Sequence, residues 1–353
     1  MESKNLIKKY FEFFFDLKKL KKMPRTGWVL RGVKNPETVA EHTFGLAFLS
    51  WILGSETELN ISKLIKIALS HDLCEVFAGD RTPFWYYPKL PKEKKVREKM
   101  LEKWARLSRK TWKKVAHKKR KAEKRALLKL LKNLDKPIKS EIFHLWIEYE
   151  NSTSKEGKFV RQLNRVETLI QAIEYFKENT SQNWWEWPEE IAEDKIILEF
   201  LEVIEEEFYK KVISCKNINL KNILKVFLKA NQLKKIKINN ETVAAHSFEV
   251  ALMGWIFGKR LKKLDVEKMI KMALCHQIQE ALPSKETFKS KNWQTQKIKN
   301  EEEKVKEIIS GLEQNLSSEI FNLWKEFQLK ETPEALFLNQ IDALQNLSEA
   351  FLT

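Results

Sequence analysis

Apolar positions recur along this chain at intervals of three and four residues, the spacing of one face of an α-helix. The clearest examples are Val39, His42, Leu46, Leu49 and Leu53; Leu64, Ile65, Ala68 and Leu69; and Leu163, Val166, Ile170 and Ile173. Gly and Pro number only 9 each, which leaves few turn formers and helix breakers. The pattern therefore predicts an all-α protein built of helical bundles.

Three motifs occur twice, which indicates an internal duplication. The pairs are Glu37–Phe44 with Glu241–Phe248, Ile67–Glu75 with Met272–Glu280, and Glu141–Trp146 with Glu319–Trp324. The first two pairs are offset by 204 and 205 residues, and the third by 178. The two copies therefore share an ancestor and differ in length between the second and third motifs.

A chain of 353 residues is long enough for two domains of ordinary size. We predict one helical domain over residues 1–213 and a diverged second copy over residues 214–353. No apolar run approaches the roughly 20 residues that span a bilayer. The three cysteines are odd in number and far apart, which is typical of a reducing cytoplasm rather than of a disulfide framework.

The formal net charge of +16 is concentrated in one segment. Residues 103–132 contain fourteen Lys or Arg and a single acid, Glu123. The simpler interpretation is a solvated helix face, and the alternative is a patch for phosphate-bearing partners such as nucleic acid. The sequence leaves both open.

Four of the six histidines lie in the repeated motifs, at His42, His71, His246 and His276. In the first copy, His42 lies on one predicted helix, and His71 and Asp72 lie at the end of the next. Imidazole nitrogens with a carboxylate suit a divalent transition ion such as Mn, Fe, Co or Zn. Glu75 follows His71 by one helical turn and can hold a water or act as a general acid or base. Asp80 is a second acid for that role.

This ordered set of motifs resembles the HD-domain superfamily, and within it the 5'-deoxynucleotidase-like branch of nucleoside monophosphate phosphatases. The resembling segments are Pro24–Arg31, Glu37–Phe44, His71–Asp72 with Glu75, Gly79–Asp80, Trp146–Glu150 and Phe159–Leu163. The resemblance implies an all-helical domain that holds a divalent metal ion and hydrolyses a nucleoside 5'-phosphate. It also implies that the two copies pair within the chain, because such domains commonly pair.

The resemblance assigns roles to single residues. It implies metal ligands at His42, His71, Asp72 and position 164, and catalytic acids at Glu75 and Asp80. Arg25 or Arg31 is implied near the substrate phosphate, and Arg31 is the preferred one for a bidentate contact. Trp28 either lines the base pocket of the substrate or fixes a loop onto the bundle.

Position 164 departs from the family, because Asn164 replaces the final metal-binding aspartate. An amide oxygen can still bind a cation, but it is neutral, so the site loses one negative charge. Changes around metal ligands commonly cost about 10-fold to 100-fold in metal affinity, and a change of ligand should cost at least as much. We therefore expect weakened activity.

The second copy departs further from the family. It keeps His246 and His276, but Gln277 and Asn339 stand at the positions of the two aspartates. It also lacks the arginine-bearing segment that precedes the first motif. We predict that this copy is catalytically inactive and that its two histidines are packed or hydrogen-bonded core residues.

Two functions fit these observations. The first is a metal-dependent phosphohydrolase that removes phosphate from nucleoside 5'-monophosphates in the first copy. The alternative is a protein without catalysis that binds nucleotide or nucleic acid in a regulatory or scaffolding role, with contacts from residues 103–132.

Overall fold

A computed structural model describes residues 2–81, 109–209, 217–283 and 293–350, together with residues 91, 93, 96 and 99–101. The predicted domain boundary at residue 213 and the first part of the basic segment, residues 103–108, lie outside the described residues. The regular structure of the described part is almost entirely helical, which confirms the predicted all-α class. No helix in this part is both long and apolar enough to cross a membrane.

The α-helices of the described residues are α1 (Glu2–Lys22), α2 (Thr26–Leu30), α3 (Val39–Gly54), α4 (Ile61–Ser70), α5 (Glu75–Ala78), α6 (Arg109–Leu130), α7 (Lys136–Asn151), α8 (Lys155–Phe176), α9 (Gln182–Glu189), α10 (Lys195–Tyr209), α11 (Ile218–Asn231), α12 (Val243–Gly258), α13 (Val266–Cys275), α14 (Trp293–Ile308), α15 (Gln314–Leu329) and α16 (Pro333–Ala350). Short 3-10 turns occur at Leu131–Asn133, Lys177–Asn179, Gln232–Lys234 and Ile278–Ala281. The strands β1 (Lys237–Ile238) and β2 (Glu241–Thr242) form an antiparallel pair just before α12. Two compact units result, Met1–His42 with Ser70–Glu193 and Thr43–Leu69 with Asp194–Thr353.

The first repeated motif starts a helix because of its own side chains. Thr38 and Glu41 form a capping box at the start of α3. The Thr38 N–H donates to the Glu41 carboxylate at 2.6 Å, and the Glu41 N–H donates to the Thr38 hydroxyl at 3.3 Å. In the second copy Thr242 caps α12 through the N–H of Ala245, and alanine cannot return the bond. The acid of this motif therefore stabilises a helix end.

In the first unit, backbone pairing holds the arginine-bearing segment against the start of α3. The Arg25 N–H donates to the Glu37 carbonyl at 2.9 Å, and the Val39 N–H donates to the Met23 carbonyl at 2.9 Å. Helix α2 lies in the loop that these bonds close. This pairing brings Arg25 close to the first histidine motif.

Helices α7 and α8 of the first unit approach each other closely at Gly157. A Cβ atom at this position would lie 2.5 Å from the carbonyl oxygen of Glu148. Ser154 caps α8, and its hydroxyl accepts from the Gly157 N–H at 3.0 Å. The apolar face predicted for this helix is buried from Leu163 to Ile173. The junction therefore fixes the helix that carries positions 164 and 167.

Inside the second unit, helices of the first sequence copy contact those of the second through two equivalent cation–π pairs. Lys66 Nζ lies 5.6 Å from the centre of the Trp255 ring, and Lys271 Nζ lies 5.7 Å from that of Trp51. Trp51 and Trp255 occupy equivalent positions of the duplication, and so do Lys66 and Lys271. The two contacts are therefore the same contact between equivalent positions, with the lysine and the tryptophan exchanged between the two copies.

We expect Gly157→Ala to lower the free energy of unfolding by about 1–3 kcal/mol, because the added methyl group forces one of the two helices to shift. Urea unfolding followed by circular dichroism measures the change. The matched control is Lys158→Ala at the neighbouring exposed position, which should change the free energy by less than about 0.5 kcal/mol. Equal stability of Gly157→Ala and wild type would contradict the close approach.

Candidate metal centre

Three predicted metal ligands lie together in the first unit. His42 is in the first turn of α3, and His71 and Asp72 directly follow α4. Asp72 Oδ2 lies 3.0 Å from His71 Nε2 and 3.9 Å from His42 Nε2. One ligand atom from each residue lies within 4.8 Å of the other two. A single divalent ion can bridge three atoms at this spacing.

The hydrogen bond of His42 orients its ring for metal binding. His42 Nδ1 lies 2.6 Å from a carboxylate oxygen of Glu167 on α8. Because a carboxylate can only accept, Nδ1 donates to Glu167, and Nε2 is the ring nitrogen left to present a lone pair to a metal ion. Nε2 is buried and has no hydrogen-bond partner among the described residues. Metal-bound histidines commonly have this carboxylate partner, so the residues present fit a divalent ion.

Arg25 forms an ion pair with one of the candidate ligands. Its Nη1 donates to Asp72 Oδ2 at 3.0 Å. Burial opposes ionisation of Asp72, but the neighbouring His71 ring and the Arg25 guanidinium hold its pKa well below the usual range. Asp72 is therefore ionised at neutral pH, which is the form that binds a metal ion.

Glu75 is a buried acid next to this cluster. It is the first residue of α5, it is 5% exposed, and its Oε2 has no hydrogen-bond partner among the described residues. Burial and the negative charges of Asp72 and Asp80 raise its pKa well above the usual range. This environment favours the protonated form, which a general acid requires.

Asp80, the second predicted catalytic acid, binds the arginine-bearing segment. Its carboxylate accepts from the Thr26 N–H at 2.6 Å, and its backbone carbonyl accepts from the Thr26 hydroxyl at 2.9 Å. Thr26 begins α2 directly after Arg25. Asp80 therefore holds Arg25 in place through the backbone, and a catalytic role for its carboxylate stays a prediction.

Asn164 lies close to the cluster, with Tyr149 between it and His71. Its Nδ2 donates to the Tyr149 hydroxyl at 2.6 Å. The Tyr149 ring packs against the His71 ring with 5.2 Å between the ring centres. Burial and the charge of Asp72 raise the pKa of Tyr149, so its hydroxyl is neutral. Metal coordination by the Asn164 amide oxygen stays a prediction.

The two predicted phosphate arginines differ in what they contact. Arg31 donates to the Gly27 carbonyl at 3.0 Å, and its guanidinium lies 4.7 Å from the centre of the Trp184 ring. Burial lowers the pKa of Arg31 to about 10. Arg25 is the arginine that contacts Asp72, and which of the two arginines binds the substrate phosphate stays a prediction.

Trp28, the predicted pocket residue, is buried in an aromatic cluster. Its ring packs against Tyr175 and Trp184 with centre distances of 5.2 and 5.0 Å. Its Nε1 donates to the Glu37 carboxylate at 3.0 Å. Of the two interpretations that the sequence left open, these contacts favour fixation of the α2 loop.

The second unit brings two histidines to an acid that the sequence analysis missed. His246 Nε2 lies 2.8 Å from Asp342 Oδ1 and 3.3 Å from His276 Nε2. Asn339, predicted at this position, instead donates from Nδ2 to two backbone carbonyls at 2.9 Å. Asp342 lies one helical turn beyond Asn339 on α16, and the only sequence signal for it is that spacing.

Burial and charge act differently on the two histidines of this second cluster. Burial and the neighbouring His246 lower the pKa of His276 to about 4. Burial also disfavours the charged form of His246, but hydrogen bonds to Asp342 and Glu241 raise its pKa to about 9. Gln277, at the position of the family's aspartate, has a buried Oε1 with no hydrogen-bond partner among the described residues.

The described part of the basic segment is mainly helix α6. Its lysines and arginines are exposed apart from Lys119, whose half-buried side chain lies 3.3 Å from the Glu123 carboxylate, and Arg109, to which no exposure is assigned. This burial pattern agrees with a solvated helix face. A nucleic-acid partner for the segment stays a prediction.

The sequence model of the HD domain family matches residues 17–199 and 222–353. These two stretches cover most of the chain, which therefore belongs to the HD domain family.

Curated relatives carry the name 5'-deoxynucleotidase. The human 5'-deoxynucleotidase HDDC2 is 33% identical over 156 residues, which is 44% of this chain and 63% of the human protein. The Schizosaccharomyces pombe 5'-deoxynucleotidase hdd1 is 31% identical over 160 residues, 45% of this chain and 68% of the yeast protein. The chain thus spans less than two thirds of the human relative's length. A solved structure, a conserved hypothetical protein from Pyrococcus furiosus, is 27% identical, with a TM-score of 0.41, 57% of this chain and 99% of that chain covered.

We expect Glu167→Gln to weaken the metal affinity of the first cluster by about 10-fold to 100-fold, because the charged partner of His42 Nδ1 is lost. The affinity is measured by titrating the chelator-stripped chain with Mn²⁺. The binding that belongs to the first cluster is identified as the part that is lost in His42→Ala. The matched control is Glu178→Gln, which removes the same charge from an exposed position after the same helix. An unchanged affinity in Glu167→Gln would refute the orienting role of Glu167.

Proposed function

We propose that the first copy is a metal-dependent phosphohydrolase that removes the phosphate of nucleoside 5'-monophosphates. The observation that carries the proposal is the contact of His42 Nδ1 with Glu167, which leaves the buried Nε2 of His42 3.9 Å from Asp72 and without a hydrogen-bond partner among the described residues. The names of the curated relatives support the substrate class.

His42, His71 and Asp72 are the residues that would hold the ion. When bound, a divalent ion polarises a phosphate and lowers the pKa of a water molecule. Two neutral imidazoles and one carboxylate suit Mn, Fe, Co or Zn. The partly exposed Asp72 leaves the cluster accessible to substrate from its side.

Arg25 is the residue that would bind the substrate phosphate. A guanidinium has five N–H donors, so Arg25 can pair with Asp72 and also donate to a phosphate oxygen. The backbone bonds at Arg25 and at Thr26 fix where this side chain starts. A fixed arginine beside the metal ligands lowers the cost of orienting the phosphate.

Glu75 would act as the general acid of the reaction. As a water oxygen bonds to phosphorus and the bond to the 5'-oxygen breaks, that oxygen needs a proton to leave as a hydroxyl group. The raised pKa of Glu75 keeps a proton on its carboxyl group for this transfer. The same burial that raises the pKa also keeps bulk water away.

A second function is favoured by Asn164. Its Nδ2 faces Tyr149, and its neutral amide lowers the negative charge available to hold an ion. With a weakly held ion, the first copy would bind nucleotides without hydrolysing them, in a regulatory or scaffolding role. The activity of the Asn164→Asp variant separates the two functions.

The wild-type chain, stripped of metal and given Mn²⁺ or Co²⁺, should release phosphate from deoxynucleoside 5'-monophosphates. His42→Ala should lower the rate by at least about 100-fold, because a metal ligand is lost. Asn164→Asp should raise the rate at limiting metal by about 10-fold or more, through a restored negative ligand.

Glu178→Gln is the control for this assay and should leave the rate unchanged. Release by Asn164→Asp but not by wild type would support the function without catalysis. No release by either chain, with the metal shown to be bound, would contradict the hydrolase proposal.

We also infer that the two sequence copies pair within the chain in the manner of a symmetric dimer. In such a dimer the same contact occurs twice with the partners exchanged. The pairs Lys66 with Trp255 and Lys271 with Trp51 have this relation. The near-equal distances of 5.6 and 5.7 Å support a pseudo-twofold arrangement.

A double-mutant cycle tests this pairing. Lys66→Met and Trp255→Leu should be coupled by about 0.5–1 kcal/mol, because each removes one partner of the same cation–π contact. The equivalent cycle of Lys271→Met with Trp51→Leu should give a similar value. Urea unfolding of the single and double variants measures both. Additive effects in both cycles would count against the pairing.

A further inference from the structure

The second unit contains a polar cluster that the proposed phosphohydrolase does not use. His246 follows the start of α12, His276 directly follows α13, and Asp342 lies on α16. We propose that these three residues bind a second divalent metal ion, which has a structural role. The proposal does not depend on the ion in the first copy.

The partners of His246 fix the position of its proton. Its Nδ1 lies 2.7 Å from Gln345 Oε1. The Gln345 amide cannot be turned around, because its Nε2 donates to the carboxylates of Glu241 at 2.8 Å and Glu249 at 3.1 Å. The oxygen therefore faces His246, and Nδ1 must donate to it. A divalent ion that displaces the second proton of this ring would bind the lone pair of Nε2, which lies 2.8 Å from Asp342 Oδ1.

The backbone fixes the proton of the second histidine in the same way. His276 Nδ1 lies 2.7 Å from the carbonyl oxygen of Ala273, which can only accept. Nε2 of His276 therefore carries a lone pair, and it faces the Nε2 of His246 at 3.3 Å. When an ion has displaced the second proton of His246, no hydrogen lies between these two nitrogens. A cation is the kind of group that satisfies both lone pairs and the carboxylate together.

The distances of the cluster fit such an ion. The three separations are 2.8 Å from His246 to Asp342, 3.3 Å between the histidines and 3.9 Å from His276 to Asp342. Ligand atoms at about 2.0–2.1 Å from a tetrahedral ion lie about 3.3 Å apart. The first cluster has a similar spread, with 3.0 and 3.9 Å from its acid to its histidines. Asp342 is 21% exposed, so an ion can enter from solvent.

A structural role follows from what surrounds this cluster. Gln277 replaces an acid, and the motif is preceded by the β1–β2 hairpin instead of an arginine-bearing segment. Gln277 follows His276 directly, and its side-chain oxygen Oε1 is neutral. This oxygen is buried and has no hydrogen-bond partner among the described residues. An ion at this point would join α12, α16 and the end of α13. Metal binding therefore stabilises the folded second copy.

Metal counting on the full-length chain tests the proposal. The chain is stripped with a chelator and dialysed against Co²⁺ or Zn²⁺, and the bound metal is measured by elemental analysis. Wild type should hold two ions per chain, and Asp342→Asn should hold one. Asn339→Ala is the matched control one turn away on the same helix, and it should keep two. Two ions in Asp342→Asn would overturn the proposal.

The variant His42→Ala separates this site from the proposed hydrolase site. It should retain one ion per chain, and His42→Ala with Asp342→Asn should retain none. Zn²⁺ at a 100-fold excess over Kd should raise the thermal midpoint of His42→Ala by about 5–10 °C and leave that of the double variant unchanged. If His42→Ala holds no ion, the proposal is overturned. The short contact between His246 and Asp342 is then a hydrogen bond. A single wild-type ion that is lost in Asp342→Asn but kept in His42→Ala would support the proposal and contradict a metal-bound first copy.

If Asp342→Asn does not fold, as judged by circular dichroism, Co²⁺-loaded His42→Ala decides the question. Its proton NMR spectrum should show two hyperfine-shifted exchangeable signals, one from each hydrogen-bonded imidazole Nδ1–H. Absence of such signals would overturn the proposal, because the imidazoles of His246 and His276 would then not be bound to the ion.

Discussion

Both histidine clusters depend on which nitrogen of a buried imidazole carries the proton. A neutral imidazole has one donor and one lone pair, so an acceptor at Nδ1 directs the lone pair of Nε2 to the other side of the ring. Glu167 provides that acceptor for His42, and Gln345 provides it for His246. Each acceptor belongs to a later helix of its copy, Glu167 to α8 and Gln345 to α16. The clusters therefore require correct packing of these helices.

Glu167 and Asn164 therefore affect the first cluster in different ways. Asn164 is predicted to remove a negative charge from the site, whereas Glu167 contacts His42 Nδ1 directly at 2.6 Å. Asp342 in the second copy lies one turn beyond Asn339, as Glu167 lies one turn beyond Asn164. One of these equivalent acids faces Nδ1 and the other faces Nε2. The ring nitrogen that the acid faces thus decides whether it is an orienting residue or a candidate ligand.

The two copies differ more in their surroundings than in their ligand atoms. Each cluster contains two imidazoles and one aspartate at comparable distances. The first has in addition the Arg25 ion pair and the buried Glu75. These groups are the ones that phosphate binding and proton transfer require. The predicted loss of catalysis in the second copy is therefore compatible with the ion proposed there.

The sequence by itself determined the helices, the repeated motifs and the grouping of His42, His71 and Asp72, because helical periodicity and motif spacing are properties of neighbouring residues. Tertiary structure alone decided that Arg25 rather than Arg31 contacts Asp72, and that Asp342 rather than Asn339 reaches the second histidine pair. Asn339 and Asp342 lie one turn apart on a helix and therefore have nearly equivalent positions in a sequence pattern. Which of them faces a site depends on the rotation of the helix, and packing against residues about a hundred positions away in the chain sets that rotation.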